Sequence, residues 1–232
     1  MIPIHGPAAK PASVSAQLHE SGTYLVMAES APFEQWLTAQ ASTVDLFEDV
    51  RAASEAHRRQ HGPTCTVYPT SRAPLWGLLA GAIGAHRILE IGTGLGYSTL
   101  WLAHGAPDAR VTTVEADRDH AALAQENVRK AGYADRIKIV HSHGIDVLAG
   151  YDHKVDIIFC DCDIDEYGDY PAHAMRLLRV GGLLITANLF AGWYTPGMPG
   201  LKSAIAYRDQ VLADDRLHTT LLGSNALSLR TR

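Results

Sequence analysis

The sequence predicts an α/β fold: a doubly wound, mostly parallel, seven-stranded Rossmann-like sheet that ends in an antiparallel hairpin. Three observations predict it. From residue 74 onward, short apolar runs of strand length alternate with stretches of helical period. The first of these runs leads directly into a glycine-rich turn, Gly92-Thr93-Gly94-Leu95-Gly96. The last two runs are separated only by Gly223-Ser224-Asn225, a hairpin connection that turns the final strand antiparallel to its neighbour.

Residues 1–20 are rich in Pro, Ala and Ser and read as an arm or loop. A helical pattern then runs from 23 to about 60. Pro32 follows Ser30 as in a capped helix start, with Phe33, Trp36 and Leu37 at helical spacing. A second helix is expected over 43–59, with Val44, Phe47 and Val50 on one face and His61-Gly62-Pro63 as its stop. Residues 1–69 are thus expected to form a helical arm or cap, and 70–232 the main domain. Within that domain a helix over 75–83 ends at Gly84. Strands are expected at 87–91, 110–115, 137–141, 155–160, 182–187, 217–222 and 226–230. The helices between them are expected at 97–104, 118–131, 144–149, 167–178 and 204–213.

Composition narrows the function. Of 232 residues, 47% are apolar, which excludes a disordered chain and is enough for a sizeable core. The formal charge of −5 and the absence of any basic run argue against a nucleic-acid partner. Arg58-Arg59, beside His57 and His61, reads as a solvated helix face. Cys65, Cys160 and Cys162 are odd in number and lack CxxC spacing, so neither a disulfide framework nor a zinc motif is indicated. Cys160 ends an apolar strand as a small hydrophobe. No leader-like segment and no membrane-length apolar run is seen, so a cytoplasmic protein without membrane contact is expected.

The chemistry concentrates at Glu90-Ile91-Gly92-Thr93-Gly94-Leu95-Gly96. In open α/β sheets ligands bind beyond the carboxyl ends of the strands, and glycines there let the backbone approach a ligand. Three alternating glycines exceed what a tight turn needs. A dinucleotide fingerprint would be G-x-G-x-x-G; here the order is G-x-G-x-G, with Tyr97 in the place of the third glycine. Glu90, just before the first glycine, would repel a pyrophosphate but attract the ammonium or sulfonium of S-adenosylmethionine. Glu115, ending the second strand, suits ribose hydroxyls in either case.

The stretch from about residue 70 to 232 resembles the catechol and caffeoyl-CoA O-methyltransferase family of class I S-adenosylmethionine-dependent methyltransferases. The matching segments are Arg87 through Gly94, Gly96 through Ala103, Val111 through Glu115, and Gly181-Gly182-Leu183-Leu184. The final antiparallel hairpin is the mark of that version of the fold. The resemblance implies that Glu90 and Gly92 hold the cofactor's amino-acid end, that Ser98 binds its carboxylate, and that Glu115 binds its ribose. His143 and Gly144 fall at the family's adenine turn, with His143 in place of an acid. Thr70, Thr93, Gly94, Tyr97, Ala116 and Asp163 complete the implied cofactor set, together with Asp161.

The family also binds a divalent cation, through an Asp after the fourth strand and an Asp-Asn pair after the fifth, and uses a Lys as base. Here Asp161 matches the first Asp, but the Lys position is Ile164 and the pair reads Ala187-Asn188. Asp163 and Asp165 lie nearby as a polar loop or as replacement oxygens. Asp161 with Asn188 alone would hold magnesium weakly, so no metal ligands are assigned and no divalent cation is expected to be required. Asp161 can instead accept from the cofactor's ammonium. Asp161, Asn188 and Tyr194 are the expected catalytic residues; Trp193-Tyr194 would form an acceptor wall. His173, His143, His5 and Tyr194 are candidate bases.

The expected function is methyl transfer to a small, aromatic, secondary-metabolite-type acceptor, by a cytoplasmic homodimer whose first 69 residues serve as acceptor lid or dimer contact. The alternatives are a catechol-type enzyme with a rebuilt metal site, C- or N-methyl transfer on the same fold, a nicotinamide dehydrogenase, and a cofactor-binding scaffold without turnover.

Overall fold

Why the chain closes into this sheet is visible in its strands. The structure, a computed structural model, describes residues 45–62, 65–162, 167–168, 170–189, 197 and 200–232. Along the chain come α1 (Glu48–His61), α2 (Ala73–Ala82), β1 (Arg87–Ile91), α3 (Tyr97–Gly105), β2 (Arg110–Glu115), α4 (Arg118–Lys130) and β3 (Ile137–His141). Then follow α5 (Gly144–Gly150), β4 (Val155–Cys160), α6 (Tyr170–Leu177), β5 (Leu178–Thr186), α7 (Leu201–Ala213), β6 (Leu217–Leu222) and β7 (Asn225–Arg230). The strands make one seven-stranded sheet in the order β3-β2-β1-β4-β5-β7-β6. The first five are parallel, and β7 inserts antiparallel between β5 and β6. The expected α/β sheet and its closing hairpin are therefore present.

Both faces of the sheet are covered, so its inner strands are apolar almost throughout: β4, VDIIFC, is buried along its whole length. Alternation along β1 sends Ile88 to one core, with Trp76, Leu100 and Phe159, and sends Leu89 and Ile91 to the other, with Ile158, Tyr167 and Tyr170. Phe47 and Val50, at the start of α1, belong to the first of these cores. Phe47 meets Trp101, His104 and Tyr133 edge-on, at centroid distances of 5.3, 5.9 and 5.8 Å.

Several element bounds differ from expectation, two of them informatively. The helix expected over 43–59 is described from Glu48 and runs on to His61, where Gly62, at φ +78°, ends it. β5 begins at Leu178 rather than 182, because α6 hands the chain directly to the sheet. Leu178 already pairs with Val155, and the register then shifts before Leu183 meets Ile157. Gly181, at φ +76°, lies inside that irregularity.

The sheet order reverses between β1 and β4. β1 connects outward to β2 and β3 on one side, while β4 and β5 build out the other, so a crevice opens between the carboxyl ends of β1 and β4. No helix among the described residues is long and apolar enough to cross a membrane.

Candidate active site

The glycine turn is shaped by how closely two strand ends approach. Asp161 N–H donates to Ile91 O at 2.8 Å and Gly92 N–H donates to Val114 O at 2.9 Å, carrying sheet pairing past the formal strand ends. Gly92 has φ +96°, and a Cβ there would lie 1.9 Å from the Asp161 carbonyl oxygen. Only glycine meets both conditions. Two residues on, Gly94 N–H donates to Glu115 Oε2 at 2.8 Å, which ties the turn to the end of β2. Gly96 then caps α3 in the left-handed region.

Glu90 points into this turn from the last-but-one position of β1 and has no exposed surface. Ser98 Oγ donates to its Oε1 at 2.7 Å, and Thr99 donates to its Oε2. Burial pushes the Glu90 carboxyl up to about 7 despite these hydroxyls, and the neighbouring Asp161 adds to the rise. Asp161, just past β4, is likewise raised to about 7 by burial, against the opposing effect of Asn188. Asn188 Nδ2 donates to Asp161 Oδ1 at 3.1 Å. Asn188 adopts φ +56°, an uncommon left-handed conformation, and its N–H donates to Asn225 Oδ1 at 3.2 Å. The residue before it, Ala187, is buried, with its carbonyl accepting from Tyr167 Oη at 2.9 Å.

Asp161 and the glycine turn line one cleft. One wall is the turn after β1 with the start of α3 and the residue after β4, namely Gly92, Thr93, Gly94, Leu95, Tyr97, Ser98 and Asp161; the rest comes from Ser54 and from Thr66, Val67, Tyr68 and Pro69. The second set was not foreseen, because residues 65–69 carry no motif. Arg58, expected on a solvated face, instead lays its guanidinium 3.5 Å from the centroid of the Tyr68 ring.

The remaining expected residues are scattered. Thr93 Oγ1 bonds Thr113 Oγ1 at 2.6 Å inside the turn, and Tyr97 Oη donates to Asp45 Oδ2 at 2.9 Å. Thr70 lies at the entry to α2, where its hydroxyl accepts from Arg72 N–H at 3.3 Å. Ala116 and His143 are exposed beyond the ends of β2 and β3. Gly144, beside His143, is buried so tightly that a Cβ would lie 2.4 Å from both Ile91 Cγ2 and Tyr170 Oη. His173 sits partly exposed on α6. His5, Asp163, Ile164, Asp165, Trp193 and Tyr194 lie outside the described residues. Burial raises the thiol of Cys160 to about 12, in keeping with a core role.

This geometry defines a class of site. Asp161, partly buried, lines the cleft, and Glu90 lies fully buried one residue before the strand end, both with carboxyls raised to about 7. A glycine cradle leaves no room for a Cβ. A carboxylate at the end of β2, Glu115, has lone pairs beyond those taken by Gly94 and by Asp117, whose N–H lies 3.0 Å from its Oε1. That combination suits a cationic amino acid joined to a nucleoside.

Comparison with known proteins agrees. Residues 40–224 match the O-methyltransferase family model. A catechol O-methyltransferase of Mycobacterium tuberculosis is 44% identical over 119 residues, 50% of this chain and 53% of that enzyme. One from Niastella koreensis is 37% identical over 132 residues, 55% and 59% of the two chains. The match thus spans little more than half the length of these curated relatives. The O-methyltransferase of Bacillus cereus, crystallised with SAH, superposes with a TM-score of 0.72 at 27% identity, covering 86% of this chain and 97% of that one. The chain belongs to the O-methyltransferase family, on the fold of the class I S-adenosylmethionine-dependent methyltransferases.

Proposed function

We propose that the chain transfers a methyl group from S-adenosylmethionine to an oxygen of a small aromatic acceptor, and that it does so without a divalent cation at the acceptor site. The observation that carries the cofactor assignment is the Gly92 cradle beside Asp161 in the cleft, with Glu90 buried next to them and both carboxyls raised to about 7. When bound, S-adenosylmethionine supplies an electrophilic methyl on a sulfonium. The chain supplies the rest. Glu90 and Asp161 would accept from the ammonium, whose charge makes their ionised forms favourable in a buried place. Glu115 would accept from the ribose hydroxyls. Gly92 lets the backbone come close where any side chain would collide with Asp161.

On the acceptor side, Asn188 holds Asp161 Oδ1, which leaves Oδ2 for an ammonium or an acceptor proton. Ala187 supplies no side-chain oxygen where the family places its second acid, and that change supports cation independence. The likeness to catechol O-methyltransferases supports an aromatic hydroxyl as acceptor. It also motivates a second reading, a catechol-type enzyme in which Asp163 or Asp165 rebuilds the metal site.

The deciding experiment is turnover of S-adenosylmethionine to S-adenosylhomocysteine with a panel of phenols and catechols, in EDTA and after magnesium add-back. Rates unchanged by EDTA support the proposal. A rate that collapses in EDTA and returns with magnesium selects the second reading. No turnover with any acceptor, alongside tight cofactor binding, would favour a scaffold.

A further inference from the structure

Beside Glu115, three partly buried ligand-type side chains converge from separate parts of the chain. His57 lies in the last two turns of α1, Cys65 follows the turn after it, and His120 is in the first turn of α4. One nitrogen or sulfur of each lies within 4.8 Å of the others. We propose that His57, Cys65 and His120 bind one zinc-class divalent cation.

The geometry is close to what such an ion asks. Zinc takes imidazole nitrogen at about 2.0–2.1 Å and thiolate at about 2.3 Å, so the edges of a tetrahedral site run roughly 3.3–3.7 Å. His57 Nε2 and His120 Nε2 stand 3.1 Å apart, already near one edge. The sulfur needs to close by about an ångström to complete the face. Each ligand is held by its backbone. Gly62 ends α1, and Cys65 N–H donates back to Gly62 O at 3.1 Å. His120 N–H donates to the Asp117 side chain at 2.9 Å. The fourth position is left to water or an incoming group, as three protein ligands leave it in open zinc sites.

A second, independent observation points the same way. His120 Nδ1 is buried without a hydrogen-bond partner. It lies 3.9 Å from Glu115 Oε1 and 4.0 Å from Asp117 Oδ1, just beyond hydrogen-bond reach. With a metal on Nε2, Nδ1 carries the proton and faces these two carboxylates, the arrangement that orients metal-bound histidines elsewhere. Without a metal, His57 and His120 present two nitrogens to a single shared proton. Binding therefore releases the thiol proton, and the imidazole proton moves to or stays at Nδ1. Cys65 also begins the segment whose Thr66 to Pro69 line the cofactor cleft, so the ion would pin that wall to α4.

The test uses the full chain without an affinity tag, stripped of metal and titrated with cobalt(II) and zinc(II). The expected result is one equivalent of cobalt giving a thiolate-to-cobalt charge-transfer band and the strong visible bands of tetrahedral cobalt, both displaced by zinc. Cys65→Ser should abolish the charge-transfer band and Cys162→Ser should keep it. His120→Ala and His57→Gln should each weaken zinc binding at least tenfold, with circular dichroism unchanged. Absence of the band in the parent, or its survival in Cys65→Ser, overturns the site. Neither readout depends on methyl transfer.

Discussion

A carboxylic acid with no exposed surface loses the hydration that stabilises its charge, and Glu90 is in that position. Its isosteric amide separates two effects. Glu90→Gln should stabilise the cofactor-free protein above pH 7, where the parent must hold a buried charge, by on the order of 3 kcal/mol. The same change should weaken S-adenosylmethionine binding. Denaturant melts and calorimetry check the pair, and a loss of both stability and affinity would show Glu90 to be a structural acid only. Glu115→Ala should weaken cofactor binding roughly 10- to 150-fold, the range for losing a hydrogen bond to a charged group. Glu115→Gln, which keeps an acceptor for Gly94 N–H, should fall in between. Gly92→Ala should cost both stability and binding, because its Cβ would overlap the Asp161 carbonyl. At this scale the motif made Glu90, Gly92 and Glu115 legible, since each is a local pattern in the sequence. Thr99 and Thr113, which bond Glu90 and Thr93, were not, because strand and helix register decides which hydroxyl reaches which acid. The His57–Cys65–His120 cluster was hidden for the same reason: spacings of 8 and 55 residues match no ligand motif.

Among the elements, α1 shows how far local pattern reaches. Its apolar positions were readable, and so was its stop at Gly62, but its partner was not. Phe47 and Val50 pack in one core cluster with Leu100, Trp101 and Leu102 of α3. Phe47→Ala should therefore cost about 3–5 kcal/mol, the range for a buried aromatic, with the cost visible as a lower denaturation midpoint at unchanged slope. A shift under 1 kcal/mol would mean that α1 contributes little to the fold. The inner strands were legible almost to the residue because burial on both faces leaves a continuous apolar run ending in turn residues. β5 was not, because Arg179, Val180 and the glycine pair interrupt its pattern. The register shift opposite Val155 and Ile157 that absorbs them belongs to the neighbouring strand.

For the whole molecule, the two raised carboxyls make stability and ligand binding depend on pH in opposite directions. Glu90 and Asp161 rise from ordinary values of 4.5 and 3.8 to about 7 on folding. A raised acid binds its proton more tightly when folded. Its stabilising contribution is full below the unfolded pKa and is lost as pH climbs through the folded one. Relative to Glu90→Gln, the cofactor-free protein should thus lose stability between about pH 4.5 and 7 and level off above. A cationic ligand favours the ionised pair, so its affinity should rise over the upper part of that window and saturate near pH 8. At a hundredfold excess over its dissociation constant a ligand adds about 2.7 kcal/mol, enough to read as a melting shift. At one fixed S-adenosylmethionine concentration, the shift should be larger at pH 8 than at pH 6, and binding at pH 6 should release protons. Calorimetry in buffers of different ionisation enthalpy counts them. Equal shifts at both pH values with no proton release would mean that the acid pair does not meet the cofactor's charge. The assignment of Glu90 and Asp161 to its ammonium would then fail, while the fold and family would stand.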